Sequence, residues 1–77
     1  MTNVELDQAV MRVANLLKRV RLSKGMTQDE MAERVGVSRK TLLRYETGQT
    51  TPTLETLLKI AAAAGYTLDV RLASKTK

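Results

Sequence analysis

The stretch from Thr27 to Gly48 leaves room for little except two short helices and a tight turn between them. Thr27-Gln28-Asp29-Glu30 is a capping box. The Thr27 hydroxyl is placed to accept from the backbone N–H of Glu30, and the Glu30 carboxylate to reach back to the N–H of Thr27. Met31, Ala32 and Val35 give the helix so started an apolar face, and Gly36 breaks it. Ser38 is a second N-cap candidate. A further short helix runs from about Arg39 to Thr47, with Leu42 and Tyr45 three apart, and Gly48 ends it.

The flanks predict two more helices and then a change of period. Leu6, Val10, Val13, Leu17 and Val20 recur at helical spacing, so a helix is expected from about Leu6 to Ser23, with Gly25 as its left-handed stop. Lys18, Arg19 and Lys24 either complement the negative end of that helix or anchor phosphate. Met11, Met26 and Met31 are expected as core filler. Gln49 to Pro52 is a loop. Thr53 caps a helix that carries Leu54, Leu57, Leu58, Ile60 and Ala61 and stops at Gly65. Tyr66 to Leu72 alternates strictly, with Leu68, Val70 and Leu72 on one face, which predicts a strand. A lone strand cannot satisfy its own backbone groups. It either lies unpaired along the domain or pairs antiparallel with the same strand of a second chain, and the second arrangement is favoured. The expected class is all-α, four or five helices with one C-terminal β-strand. Residues 1–65 form the helical domain, 66–73 the dimerisation strand and 74–77 a basic tail.

Composition narrows the chemistry. The chain has 77 residues, no cysteine and no histidine, which excludes disulfides, a zinc-type site and Cys or His nucleophile and base chemistry. A core of this size rarely supplies more than ~3–5 kcal/mol, so a second subunit is the stabilising device left. The absence of cysteine fits a reducing, cytoplasmic setting. Met1 to Asp7 holds two acids and no base, unlike a signal peptide, and no run is long and apolar enough to span a membrane. The net charge of +5 is unevenly spread: residues 18–25 carry +4 and residues 38–52 carry +2, the pattern of a patch. Tyr45 and Tyr66 are the only aromatics, too few to stack single-stranded bases. No nucleophile–base pair, metal cluster or phosphate-cradling glycine loop is present, so no enzyme and no cofactor are expected.

The two short helices with their Gly36 turn make a helix-turn-helix pattern. The second helix opens with Ser38, Arg39 and Lys40 and carries Arg44 one turn on. A short helix fits the major groove of double-stranded DNA end-on. Arg bonds guanine O6 and N7 with two hydrogen bonds.

Arg21, Thr27-Gln28, Met31-Ala32, Gly36-Val37-Ser38, Leu42, Tyr45-Glu46, Gly48, Pro52 and Leu57-Leu58-Lys59-Ile60-Ala61 together resemble the lambda-repressor-like (Cro and phage-repressor, XRE-type) helix-turn-helix family, over roughly Leu16 to Gly65. The resemblance implies roles at matching positions. Thr27, Gln28, Ser38 and Thr41 belong to the DNA-binding set, Gln28 bracing the recognition helix and Ser38 capping it, both against phosphate. Arg39, Lys40 and Arg44 reach base edges. Gln49 to Thr51, by backbone or side chain, hold phosphate. Arg21 pairs with Glu46 and ties the first helix to the third. Leu43 departs from the family pattern, where a small polar residue is common. It contacts a thymine methyl, packs on a neighbour or marks a partner surface, and the residues alone do not rank these.

The alternating segment after Gly65 adds a likeness to HipB-like and HigA-like antitoxins. There, paired strands build the dimer, which here implicates Tyr66, Leu68, Val70 and Leu72. The resulting expectation is a homodimeric, sequence-specific DNA-binding regulator that represses its own gene from an inverted-repeat operator. The alternative is an antitoxin that neutralises a partner toxin and represses its own operon.

Overall fold

Every helix among the described residues starts on a hydroxyl side chain. The structure is a computed structural model that describes residues 1–74, and it contains α1 (Asn3–Ser23), α2 (Gln28–Val35), α3 (Arg39–Thr47) and α4 (Leu54–Ala63). The caps are Thr2, Thr27, Ser38 and Thr53, and each accepts from the N–H three residues on, at 3.0, 3.1, 3.0 and 3.1 Å. Each cap stabilises its helix by about 1 kcal/mol. The first helix begins at Asn3, earlier than the expected Leu6. The reason is a second capping box, in which Thr2 N–H donates to Glu5 Oε1 at 3.0 Å. No fifth helix forms among the described residues.

The turn between α2 and α3 depends on Gly36, whose φ of +85° lies in the left-handed region. In that conformation the N–H groups of Gly36 and Val37 both donate to the Ala32 carbonyl, at 2.9 and 3.0 Å. One carbonyl of the last turn thereby takes both N–H groups that follow the helix.

The core sits where α2 meets α3 and α4 and where α1 crosses α3. Leu17, Met26, Met31, Ala32, Val35, Leu42, Ile60 and Ala64 are buried together. Met31, Leu42 and Ile60 are the largest side chains fully enclosed, each worth about 1.5–3 kcal/mol in burial. Met11 is not part of this core. It is 42% exposed, lying against Gly48 instead. The apolar stripe predicted for α1 is likewise covered only toward its C-terminal end. Ala14 and Leu17 are buried, whereas Leu6 and Val13 face solvent, because α2, α3 and α4 are too short to reach the N-terminal turns of a 21-residue helix.

The expected C-terminal β-strand is absent: among the described residues, 66–74 form no ladder. An extended segment becomes a strand only against another extended segment, and none pairs with it among the described residues. Tyr66 instead docks back onto the helices. Its N–H donates to the Ala61 carbonyl at 2.8 Å. Its hydroxyl meets Ser23 Oγ at 3.2 Å, while Ser23 donates to the Val20 carbonyl at 2.8 Å, so Tyr66 is the donor of the pair. Of the expected basic tail 74–77, only Ser74 lies within the described residues. No helix among them is long and apolar enough to cross a membrane.

Candidate nucleic-acid interface

The site is built on a buried ion pair. Arg21 Nε and Nη2 donate to Glu46 Oε2 and Oε1 at 2.8 and 3.0 Å, a two-pronged contact between α1 and α3. Arg21 Nη1 adds a bond to the Met26 carbonyl at 2.8 Å. The hydrogen bonds to Glu46 push the Arg21 guanidinium above its ordinary value, against the opposing effect of burial, so it stays charged. A carboxylate and a guanidinium taken from water are tolerated only when their remaining donors and acceptors are also satisfied. No buried side-chain nitrogen or oxygen among the described residues lacks a partner.

Gln28 extends this pair toward the surface. Its Nε2 donates to Glu46 Oε1 at 3.5 Å, and its Oε1 accepts from Arg39 Nε at 3.5 Å. Both bonds are long, and one orientation of the amide serves both. The first residue of α2 thereby links the buried carboxylate to the first residue of the recognition helix. Arg39 also lies 3.9 Å from Asp29, an exposed pair that contributes little.

The remaining sequence-predicted residues fall into two groups. Arg39, Lys40 and Arg44 are exposed on α3; Lys40 and Arg44 point away from the buried Leu42 and Glu46, and Arg39 stands at the edge of the buried side, one helical repeat before Glu46. They are brought together as a cationic face. Thr27 and Ser38 are spent on capping. Thr27 Oγ1 accepts from Glu30 N–H, and Ser38 accepts from Thr41 N–H while donating to Thr41 Oγ1 at 2.9 Å. The Glu30 carboxylate, receiving the Thr27 N–H at 2.8 Å, sits below its ordinary range because of that bond and the Thr27 hydroxyl.

The loop after α3 is partly closed. The N–H groups of Gln49 and Thr50 donate to the Arg44 carbonyl at 3.0 and 3.3 Å, so these two amides turn into the protein and away from any phosphate. The side chains of Gln49, Thr50 and Thr51 are exposed. In the tail, Tyr66 packs on α1, with Lys24 Nζ 4.9 Å from its ring centroid, a cation–π contact. Leu68 is half-buried, and Val70 and Leu72 are 68% and 100% exposed.

Two stabilising contacts carried no sequence signal. Arg34 Nη1 donates to the Ala63 carbonyl at 3.2 Å, closing the end of α4, and Lys24 stands over Tyr66. Both join residues far apart in the chain. The capping box at Thr2 and Glu5, by contrast, is present in the sequence as the pattern already used for Thr27 and Glu30.

Residues 17–70 match the helix-turn-helix family HTH_3, which covers the ion pair, both short helices and α4. The chain belongs to this XRE-type family of DNA-binding transcription regulators. An HTH-type transcriptional regulator of Haemophilus influenzae is 39% identical over 69 residues, covering 86% of this chain and 69% of the relative. The cryptic phage CTXphi transcriptional repressor RstR of Vibrio cholerae is 36% identical over 59 residues, covering 77% of this chain and 53% of the repressor. The chain thus spans about half the length of the phage-derived relatives it matches. Among solved structures, the restriction-modification controller protein C.AhdI from Aeromonas hydrophila superposes with a TM-score of 0.73 at 27% identity, over 77% of this chain and 89% of that one. A HipB–O2 20mer complex gives 0.69 at 30% identity, over 83% and 89%. A toxin–antitoxin module from Streptococcus pneumoniae gives 0.68 at 36% identity, over 96% and 84%.

Proposed function

We propose that this protein is a homodimeric, cytoplasmic repressor that binds an inverted-repeat operator upstream of its own gene. The observation that carries this reading is the solvent face of α3. It presents Arg39, Lys40 and Arg44 on a helix locked to the core by Arg21 and Glu46, in a chain of the HTH_3 family. Arg39 and Arg44 reach guanine edges. Lys40 contacts a base edge or phosphate. Gln28, Ser38, Thr41, Gln49 and Thr51 line the backbone-contacting border, Gln49 through its side chain.

The dimer contact is assigned to residues 66–73, with Leu68, Val70 and Leu72 as its apolar members. The exposure of Val70 and Leu72, and that of Val13 and Leu16 on α1, supports this assignment. Two-fold symmetry then requires half-sites about one turn apart, ~10 bp or a multiple.

The test is binding to the duplex upstream of the gene against random duplex at two salt concentrations. Tight, selective binding that falls with salt is expected, since each neutralised phosphate releases counterion. Equal, weak binding to both would retire the autorepressor reading.

A second reading has its own support. The chain matches a protein of the Streptococcus pneumoniae toxin–antitoxin module over 96% of its length. In that reading it is an antitoxin whose DNA binding is feedback. A stable complex with the product of the adjacent gene distinguishes the two.

A further inference from the structure

Leu43 is the one large apolar side chain exposed on the cationic face of α3. It is 44% exposed and stands four residues after Arg39, three after Lys40 and immediately before Arg44. It takes no part in the core cluster, where its neighbour Leu42 is fully enclosed. It also borders none of the grooves along α1. The core therefore does not account for its exposed surface. The other exposed apolar residues, among them Val13, Leu16, Leu58, Tyr66 and Val70, belong to α1, α4 and the tail. On α3 no second large apolar side chain is exposed beside Leu43. Its surroundings are three cations.

A surface that attracts such a face is strongly anionic. The floor of the DNA major groove offers one apolar group there, the C5-methyl of thymine. We propose that Leu43 reads sequence by packing on a thymine methyl in each half-site, beside the base edges contacted from Arg39 and Arg44. Four residues of helix advance about 6 Å, under two base-pair steps. The thymine therefore lies within two base pairs of the position read at the start of α3. Thr47, the next residue on this side, has its hydroxyl turned onto the Leu43 carbonyl at 2.9 Å, which leaves that hydroxyl engaged within the helix.

This inference rests on the DNA-binding reading, and the experiment separates the two. The full chain is used to select duplexes from a library with a random centre. In the selected duplex each thymine is then replaced, one symmetric pair at a time, by deoxyuridine, which removes only the methyl. One thymine per half-site is expected to matter, its loss weakening binding about fourfold per half-site, the value of one buried methyl-sized group. Leu43→Ala, which removes an exposed side chain and should melt as the parent does, becomes insensitive to that replacement. Leu43→Met keeps the sensitivity. If deoxyuridine has no effect at any position, or weakens the parent and Leu43→Ala equally, another residue or none reads the methyl, and the inference is overturned while DNA binding stands. If no duplex is selected, the DNA-binding reading fails and Leu43 loses its role with it.

Discussion

Arg21 and Glu46, twenty-five positions apart, meet through two hydrogen bonds of 2.8 and 3.0 Å and are both nearly sealed from solvent. The pair holds α3 against α1, and through Gln28 it reaches Arg39 at the start of that helix.

Removing one partner leaves a buried charge without its counterion. Arg21→Ala is expected to cost about 3–5 kcal/mol. That is comparable to the whole stability of a domain this small, about 3–5 kcal/mol, so circular dichroism should show a largely unfolded chain at 25 °C. Arg21→Met combined with Glu46→Leu recovers much of the loss, because apolar side chains of similar volume need no counterion. A single variant that melts within a few degrees of the parent would show the pair to be incidental.

Gly48 follows from its φ of +79° and from its crowding. A Cβ built there stands 2.5 Å from Met11 Sδ and 3.7 Å from Val10 Cγ1, whereas one on Gly36 meets nothing within 4 Å. Gly36→Ala should cost about 1–2 kcal/mol, the backbone penalty alone. Gly48→Ala should cost more, and adding Met11→Ala should return the difference. Equal costs in chemical denaturation would mean that α1 does not press on the end of α3.

Acid titration addresses the α2 cap. The Glu30 carboxyl is lowered from 4.5 by its bonds with Thr27. A group lowered on folding stabilises the fold above its ordinary value, and that contribution is lost as pH falls through the lowered one. Stability measured from pH 6 downward should therefore drop less steeply below 4.5 in Glu30→Gln than in the parent. Parallel curves would remove the carboxylate from the cap.

On DNA, Arg44→Ala should cost about 1–3 kcal/mol and relax the preference at one base pair. Uniform weakening on every duplex would make Arg44 a phosphate contact. Lys40→Ala gives the complementary reading, since loss of a phosphate contact lowers the magnitude of the salt slope by about one.

The assembly has its own variant. Val70→Asp puts a charge on a residue that is 68% exposed in the single chain, so the monomer's fold should survive. Sedimentation is expected to show monomers, with operator affinity falling accordingly. A variant that remains dimeric moves the interface elsewhere, with the α4 face as the next site to test.

What the sequence discloses is what neighbouring residues decide. Ser38 and Thr53 cap the helices they precede, and Gly36 and Gly48 stop helices where their spacing says they should. Periodicity was less dependable. Leu6 and Val13 keep the rhythm of a buried stripe with nothing to bury them, and Tyr66 to Leu72 keeps the rhythm of a strand with no strand beside it. Alternation reports which residues share a face, and only a neighbour decides whether the face is covered. The inward turn of the Gln49 and Thr50 amides lay beyond reach for a related reason. Which carbonyl a loop amide finds depends on how the preceding helix ends in space, and composition does not encode that.

An apolar groove of about 500 Å³ runs between α1, α4 and the first residues of the tail, bounded by Val13, Leu16, Val20, Leu57, Ile60 and Leu68. It borrows no residue from α3. The residues proposed to read bases and the residues that line this groove are therefore separate sets. A substitution on the solvent face of α3 leaves the lining of the groove unchanged, and a substitution in the groove leaves that face unchanged.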